Sequence, residues 1–339
     1  MGLKEMLFGR KGICPYCLAQ LNSRSTPNSA GAGRRICEVC GNEFDDDVFS
    51  YDGATSIGII GASNSGKTCY AAAMDYEFNH FSQSAFGIYP LDGKTKSFFN
   101  DSERSLRQEH KLLNNTKADF QDVLCMSITN YKSKVGKRYK TYSLSMYDPA
   151  GENTTNLEEV EESTTKRTIA LLLKNALNYV LLLDGEDLRD VLKGGTAVQV
   201  SKSIIDEFYA KICRYKGMRP GDILDVNLAV AISKLDRIRD DIDPSSILLS
   251  ASPHLEKGYF DTADADSVDK EVRNLLGKYG AYGLIASGKR FRNVRFFGIS
   301  SFGLNTSSGG VDLKPHRCTD PLMWFFSLMS GMKHEMKRW

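Results

Sequence analysis

The sequence predicts an α/β domain on a mostly parallel, six-stranded sheet with one antiparallel hairpin edge, preceded by a small cysteine-rich ribbon. Three observations predict it. Two Cys-x-x-Cys pairs stand in the first 50 residues, a glycine-rich turn follows the first long apolar run, and apolar runs then alternate with helix-like stretches.

The ribbon comes first along the chain. Cys14-x-x-Cys17 and Cys37-x-x-Cys40 are separated by positions 18–36, the spacing of a four-cysteine zinc ribbon. Each pair closes one side of a tetrahedron of thiolates, and Pro15 and Gly41 suit the tight turns of such knuckles. Four protein sulphurs leave no open coordination position, so Zn2+ here is expected to be structural. The cations Lys4, Arg10, Lys11, Arg24, Arg34 and Arg35 are matched by the acids Glu5, Glu38, Glu43, Asp45, Asp46 and Asp47. A neutral module of this kind suits protein contact better than nucleic acid. The acidic exit divides the chain into a ribbon over 1–50 and a larger domain over 51–339. A module held by metal is expected to fail without it: Cys37→Ser should unfold residues 1 to about 50 and leave nucleotide binding largely intact.

Strand-like runs follow at 56–60, 123–129, 142–147, 179–183, 226–232 and 294–299. Between them lie helical patterns such as Ile204, Ile205, Phe208 and Ile212, whose spacing places them on one helix face. The runs at 123–129 and 142–147 have no helix between them and predict a hairpin, hence the antiparallel edge. Its tip carries Lys132, Lys134, Lys137, Arg138 and Lys140, read as a solvated turn. Two segments exceed ordinary connections. The first, 81–117, should contain a helix over 98–113, from the spacing of Leu106, His110 and Leu113, and the second, 237–264, reads as a surface insertion.

Composition excludes several classes. Of 339 residues, 41% are hydrophobic and 25% charged, so the chain is globular throughout. A net charge of +2 gives no global pull toward nucleic acid or an acidic membrane, and neither is expected as a partner. The opening residues lack the apolar core of a secretory signal, and no stretch approaches the ~18 apolar residues of a spanning helix. Cytoplasmic residence is expected, with Cys69, Cys125, Cys213 and Cys318 as free thiols.

The chemistry begins at Gly61-Ala62-Ser63-Asn64-Ser65-Gly66-Lys67-Thr68, which matches G-x-x-x-x-G-K-[ST] between a strand and the helix-forming run at 70–74, with Cys69 also expected at the nucleotide. Backbone N–H groups of such a loop converge on phosphates, the helix directs its positive end at them, Lys67 spans the β and γ phosphates, and Thr68 ligates Mg2+. Asp148-Pro149-Ala150-Gly151 follows the second hairpin strand, placing a carboxylate toward Mg2+ and a glycine N–H toward the γ-phosphate. Ser233-Lys234-Leu235-Asp236 follows another strand and fits [NT]-K-x-D with Ser in the first place. Asp236 would accept from guanine N1–H and the exocyclic amine, a donor pair adenine lacks. Ser300-Ser301, at the end of the last strand, occupies the place of a loop whose N–H meets guanine O6.

In this order, each at a strand end, these motifs resemble the Ras-like (TRAFAC-class) GTPases over about residues 54–335. With the ribbon, the chain is more narrowly similar to bacterial double-GTPases of conflict systems. The resemblance implies GTP or GDP with Mg2+ as cofactors and a threonine that closes over the metal. Thr116, just ahead of the hairpin, takes that role, with Thr95 as the alternative. It also implies a glutamine after the D-x-x-G glycine to orient water, where this chain has Glu152. The expected function is a slow GTPase switch that uses Lys67, Thr116 and Glu152 and signals to a protein partner, either an activator or a second GTPase. An ATP-using NTPase and a nucleotide-stabilised binding module without turnover are the alternatives.

Overall fold

The computed structural model describes residues 10–29, 31, 33–62, 64–81, 85–111, 113, 123–147, 164–190, 196–304 and 313–329. The ribbon is two short hairpins, β1 (Lys11–Ile13) with β2 (Gln20–Asn22) and β3 (Arg34–Ile36) with β4 (Glu43–Asp45). Each cysteine pair follows or fills a knuckle closed by a residue in the left-handed region, Leu18 in the first and Gly41 in the second. The Cys14 and Cys37 carbonyls accept the N–H groups of those two residues at 3.0 and 2.7 Å. Leu21, Phe44, Val48 and Phe49 pack around the four sulphurs.

A 3-10 turn, Asp46–Ser50, leads into the main domain. Its elements run β5 (Gly53–Gly61), α1 (Lys67–Phe81), β6 (Phe86–Pro90), α2 (Gly93–Glu103), β7 (Leu124–Val135), β8 (Arg138–Tyr147), α3 (Thr164–Asn175) and β9 (Asn178–Asp184). They continue with α4 (Gly185–Asp190), α5 (Ala197–Lys216), β10 (Leu224–Ser233), α6 (His254–Lys257), α7 (Thr262–Lys278), α8 (Tyr282–Ser287), β11 (Phe291–Gly298) and α9 (Asp320–Leu328). The strand order is β11-β10-β9-β5-β8-β7-β6. Pairings from β11 across to β8 are parallel, and β7 pairs antiparallel with both β8 and β6.

All six expected strands are present, and the sheet has a seventh. Strand β6 lies in the long connection 81–117, ahead of the expected helix; five residues containing Gly87 and ending in Pro90 give too little alternation to recognise, and only an edge position tolerates that proline. The helix of this segment is also displaced. Asp92 caps it by accepting the Thr95 N–H at 2.7 Å, so α2 starts earlier than 98; it passes into one π turn, Arg104–Gln108, and His110 adopts a positive φ beyond it. The 237–264 stretch is packed rather than loose, with Ile238, Ile242, Leu248, Leu255 and Phe260 buried.

Two apolar layers sandwich the sheet. On one face Ile57, Ile59, Met126, Ile128, Leu144 and Met146 meet α1, α2, α6 and α9. On the other, Ile60, Leu181, Leu183, Val230 and Ile232 meet α3, α5 and α7; α5 contributes Ile205, Phe208 and Ile212, as its periodicity requires. No helix among the described residues is long and apolar enough to cross a membrane.

Candidate functional site

Strand β5 delivers the glycine-rich loop. A Cβ on Gly61 would lie 2.4 Å from Ser65 Oγ and 2.9 Å from the Leu182 carbonyl, so only glycine allows the loop to fold this closely over β9. Asn64 and Gly66 both have positive φ, 66° and 88°, which turns the chain sharply into α1. The N–H groups of Lys67, Thr68 and Cys69 belong to the first turn of that helix, where no intrahelical acceptor exists. Lys67 Nζ lies over the loop and donates to the carbonyls of Gly61 (3.1 Å) and Ala62 (3.4 Å), neutral acceptors weaker than a phosphate oxygen. Burial pushes the Cys69 thiol up to about 11, so it is a helix residue and not a thiolate.

Three parallel strands end beside this loop. Ser233, closing β10, places its hydroxyl 2.9 Å from the Ser65 carbonyl and 3.2 Å from that of Leu183, so a serine in the place of Asn or Thr still ties this strand to the loop. Lys234 has a φ of 53° and pairs through Nζ with Asp184 at 2.5 Å. Asp184 ends β9, and its other oxygen caps α4 at the Glu186 N–H, 2.9 Å away. Sequence reasoning missed Asp184; a lone acid closing an all-buried strand is the one signal it offered. The Asp236 carboxylate is 3% exposed and accepts the Ser300 hydroxyl at 2.5 Å. The Ser300 N–H is committed to the His316 carbonyl at 3.1 Å, which leaves the contact expected of this loop to Ser301.

The structure therefore brings together Gly61, Asn64, Ser65, Gly66, Lys67, Thr68, Ser233, Lys234, Asp236, Ser300 and Ser301 at the carboxyl ends of the strands, where open α/β sheets bind ligands. Thr116, Asp148, Gly151 and Glu152 lie outside the described residues. Thr95 is fully buried in α2, its Oγ1 accepting the Cys125 N–H at 2.9 Å, and is thus committed to holding β7.

The four ribbon cysteines fit zinc. Their sulphurs lie within 4.8 Å of one another, with Cys14–Cys40 and Cys17–Cys37 both at 3.8 Å. A tetrahedron with ~2.3 Å metal–sulphur bonds has edges of about 3.8 Å.

A second group, His254, Asp264 and Asp320, does not fit a metal. His254 Nδ1 accepts the Asp261 N–H at 3.0 Å, so the neutral ring carries its proton on Nε2, which faces the two carboxylates at 3.6 and 3.9 Å. Both carboxylates are held by Arg317, whose fully buried guanidinium also donates to the Ser250 carbonyl. This is an ion cluster behind the Ser300 loop.

Fold and site together define a P-loop guanine-nucleotide-binding protein carrying a four-cysteine ribbon. The sequence profile of the Double-GTPase 2 family matches residues 55–272, and the chain belongs to that family. No curated protein matches it. Among solved structures it is similar to the G domain of the T. maritima FeoB iron transporter, at 10% identity over 73% of this chain and 87% of that one, with a TM-score of 0.25. It is similar also to Sup35 complexed with GDP (14% identity, 76% and 43% covered, TM-score 0.26) and to the S. cerevisiae Ski7 GTPase-like domain bound to GTP (12%, 87% and 52%, TM-score 0.36). The chain spans about half the length of the latter two.

Proposed function

We propose that the chain is a cytoplasmic molecular switch that binds GTP at residues 61–68, hydrolyses it slowly and signals its nucleotide state to a protein partner, an activator or a second GTPase. The observation that carries this reading is the buried Asp236 carboxylate, held by Ser300 beside a phosphate loop to which Ser233 is tied. In this reading Lys67 leaves the Gly61 and Ala62 carbonyls for the β and γ phosphates, the first-turn N–H groups of α1 meet phosphate oxygens, and Asp236 with the Ser301 N–H reads guanine. Thr68, Thr116 and Asp148 would hold Mg2+, which neutralises charge on the β and γ oxygens, while the Gly151 N–H meets the γ-phosphate. The four thiolates hold Zn2+ with no open position, in the ribbon over 1–50, with the GTPase domain over 51–339.

Slow turnover follows from Glu152. A carboxylate accepts a proton from the attacking water but cannot donate to the γ-phosphate, and its charge repels that group. Arg167 is exposed on α3, a solvated position rather than an internal finger. Single-turnover kinetics on the purified protein should give a rate constant of about 10⁻⁴–10⁻² s⁻¹, raised by a partner. A rate constant above about 1 s⁻¹ would show a complete catalytic apparatus within the chain. Binding of ATP as tight as that of GTP would instead return the site to the ATP-using class.

A further inference from the structure

The ribbon is seated where two expected nucleotide motifs leave the sheet, and we propose that its first knuckle positions the elements flanking them, so that nucleotide state and zinc retention are coupled. The inference rests on the GTP-switch reading above. Its basis is the face of the sheet over β7 and β8. On the helix-covered face these strands carry Met126, Ile128, Leu144 and Met146. On the opposite face the paired positions are Cys125 with Ser145 and Ser127 with Ser143, all small and all buried. Small side chains let another backbone come close, and the ribbon does so: the Pro15 carbonyl accepts the Ser145 hydroxyl and lies 3.5 Å from Cys125 Sγ.

The neighbouring knuckle residues reach further elements. The Tyr16 hydroxyl donates to Asp92 Oδ2 at 2.8 Å, on the residue whose other oxygen caps α2. Asn175, the last residue of α3, donates from Nδ2 to the Cys17 carbonyl at 3.0 Å. From the second knuckle, Asn42 Nδ2 lies 2.8 Å from Thr168 Oγ1 of α3 and 3.3 Å from the sulphur of Cys40, touching a metal ligand and the helix with one amide. Residues 15–17, two knuckle residues and the ligand Cys17, thus contact the cap of α2, β7, β8 and α3.

Sequence order gives these contacts their meaning. Ser145 stands three positions before Asp148, Cys125 follows the stretch containing Thr116, and α3 follows the stretch containing Glu152. The knuckle grips the chain on both sides of the D-x-x-G motif and at the exit from the switch threonine. If GTP and GDP favour different arrangements of those elements, linkage requires that ribbon docking change with the nucleotide and that docking change relative nucleotide affinity by the same factor. The two modules are then not independent, and Cys37→Ser should alter the preference between GTP and GDP while nucleotide still binds.

The test uses the full chain with zinc bound, loaded with Mg2+ and either GDP or a non-hydrolysable GTP analogue, and follows zinc transfer to a chromogenic chelator. The expected result is at least a ~5-fold difference in zinc release between the two forms. The difference should collapse toward unity in the Tyr16→Phe/Asn175→Ala double variant, which should keep one zinc per chain and bind both nucleotides. Equal release rates in parent protein shown to bind both nucleotides overturn the coupling. A parent that binds neither nucleotide overturns the switch reading itself, and the coupling with it.

Discussion

The parallel and antiparallel halves of the sheet are finished in different ways. Strands β9 and β10 are buried almost end to end, and helices of the same domain cover both faces. Strands β7 and β8 run on past the core to exposed Val135 and Tyr139, and on one face their inner half carries small polar residues covered by the ribbon. The half that carries the residues proposed to read the base is thus complete by apolar burial. The half next to the D-x-x-G motif takes its cover from a module whose own core is four apolar side chains around four sulphurs, too small to fold without metal.

Removing the metal should separate the halves most sharply. The parent should contain one zinc per chain, and Cys37→Ser should lose it, forfeiting a binding free energy of about 10–16 kcal/mol. Hydrogen exchange should then rise over the ribbon and over β7 and β8, while β9 and β10 stay protected. Parent protein prepared without chelator and holding less than about a tenth of an equivalent of zinc would break the comparison at its root.

Next in size is Lys67→Ala, at the centre that both halves share. Losing two charge-assisted hydrogen bonds of about 1.5–3 kcal/mol each should weaken GTP binding by at least ~100-fold, measured with a fluorescent analogue. Unchanged affinity would remove the loop from phosphate binding. Asp236→Ala addresses the parallel half alone: GTP should weaken by about 100-fold while ATP hardly changes, because adenine lacks the N1–H and 2-amino donor pair that the carboxylate would accept. A parallel loss of ATP binding would mean that Asp236 supports the fold rather than the base.

The smallest effect concerns Glu77 of α1, which accepts the Thr319 N–H at 2.7 Å and whose carboxyl burial pushes up to about 7 from an ordinary 4.5. Below 4.5 both folded and unfolded chains are protonated and there is no cost; as pH rises toward 7 the unfolded chain ionises first, so stability falls, and above 7 the cost is constant. Its ceiling is about 3 kcal/mol, and local relaxation should leave about 1 kcal/mol. Glu77→Gln keeps the acceptor and should therefore raise the Tm above pH 7 without changing it near pH 4.5. A stabilisation equal at both values would assign the effect to packing.

The sequence alone determined the strand-loop-helix that carries Lys67, the four ribbon cysteines, the six principal strands and the order of the motifs, because each is written in contiguous residues with a fixed local spacing. Tertiary structure decided the rest. Strand β6 exists because β7 offers it an edge, and α2 starts where Asp92 caps it rather than where Leu106, His110 and Leu113 suggest. The Lys234–Asp184 and Ser300–Asp236 contacts join positions 50 and 64 apart, and the ribbon's seat joins Pro15 to Ser145 and Asn175 to Cys17 across 130 and 158. Each such contact depends on one polar side chain meeting one partner, with no period and no neighbouring pattern. Local propensity carries no information about which distant segment will lie opposite; only the packing of whole elements supplies it.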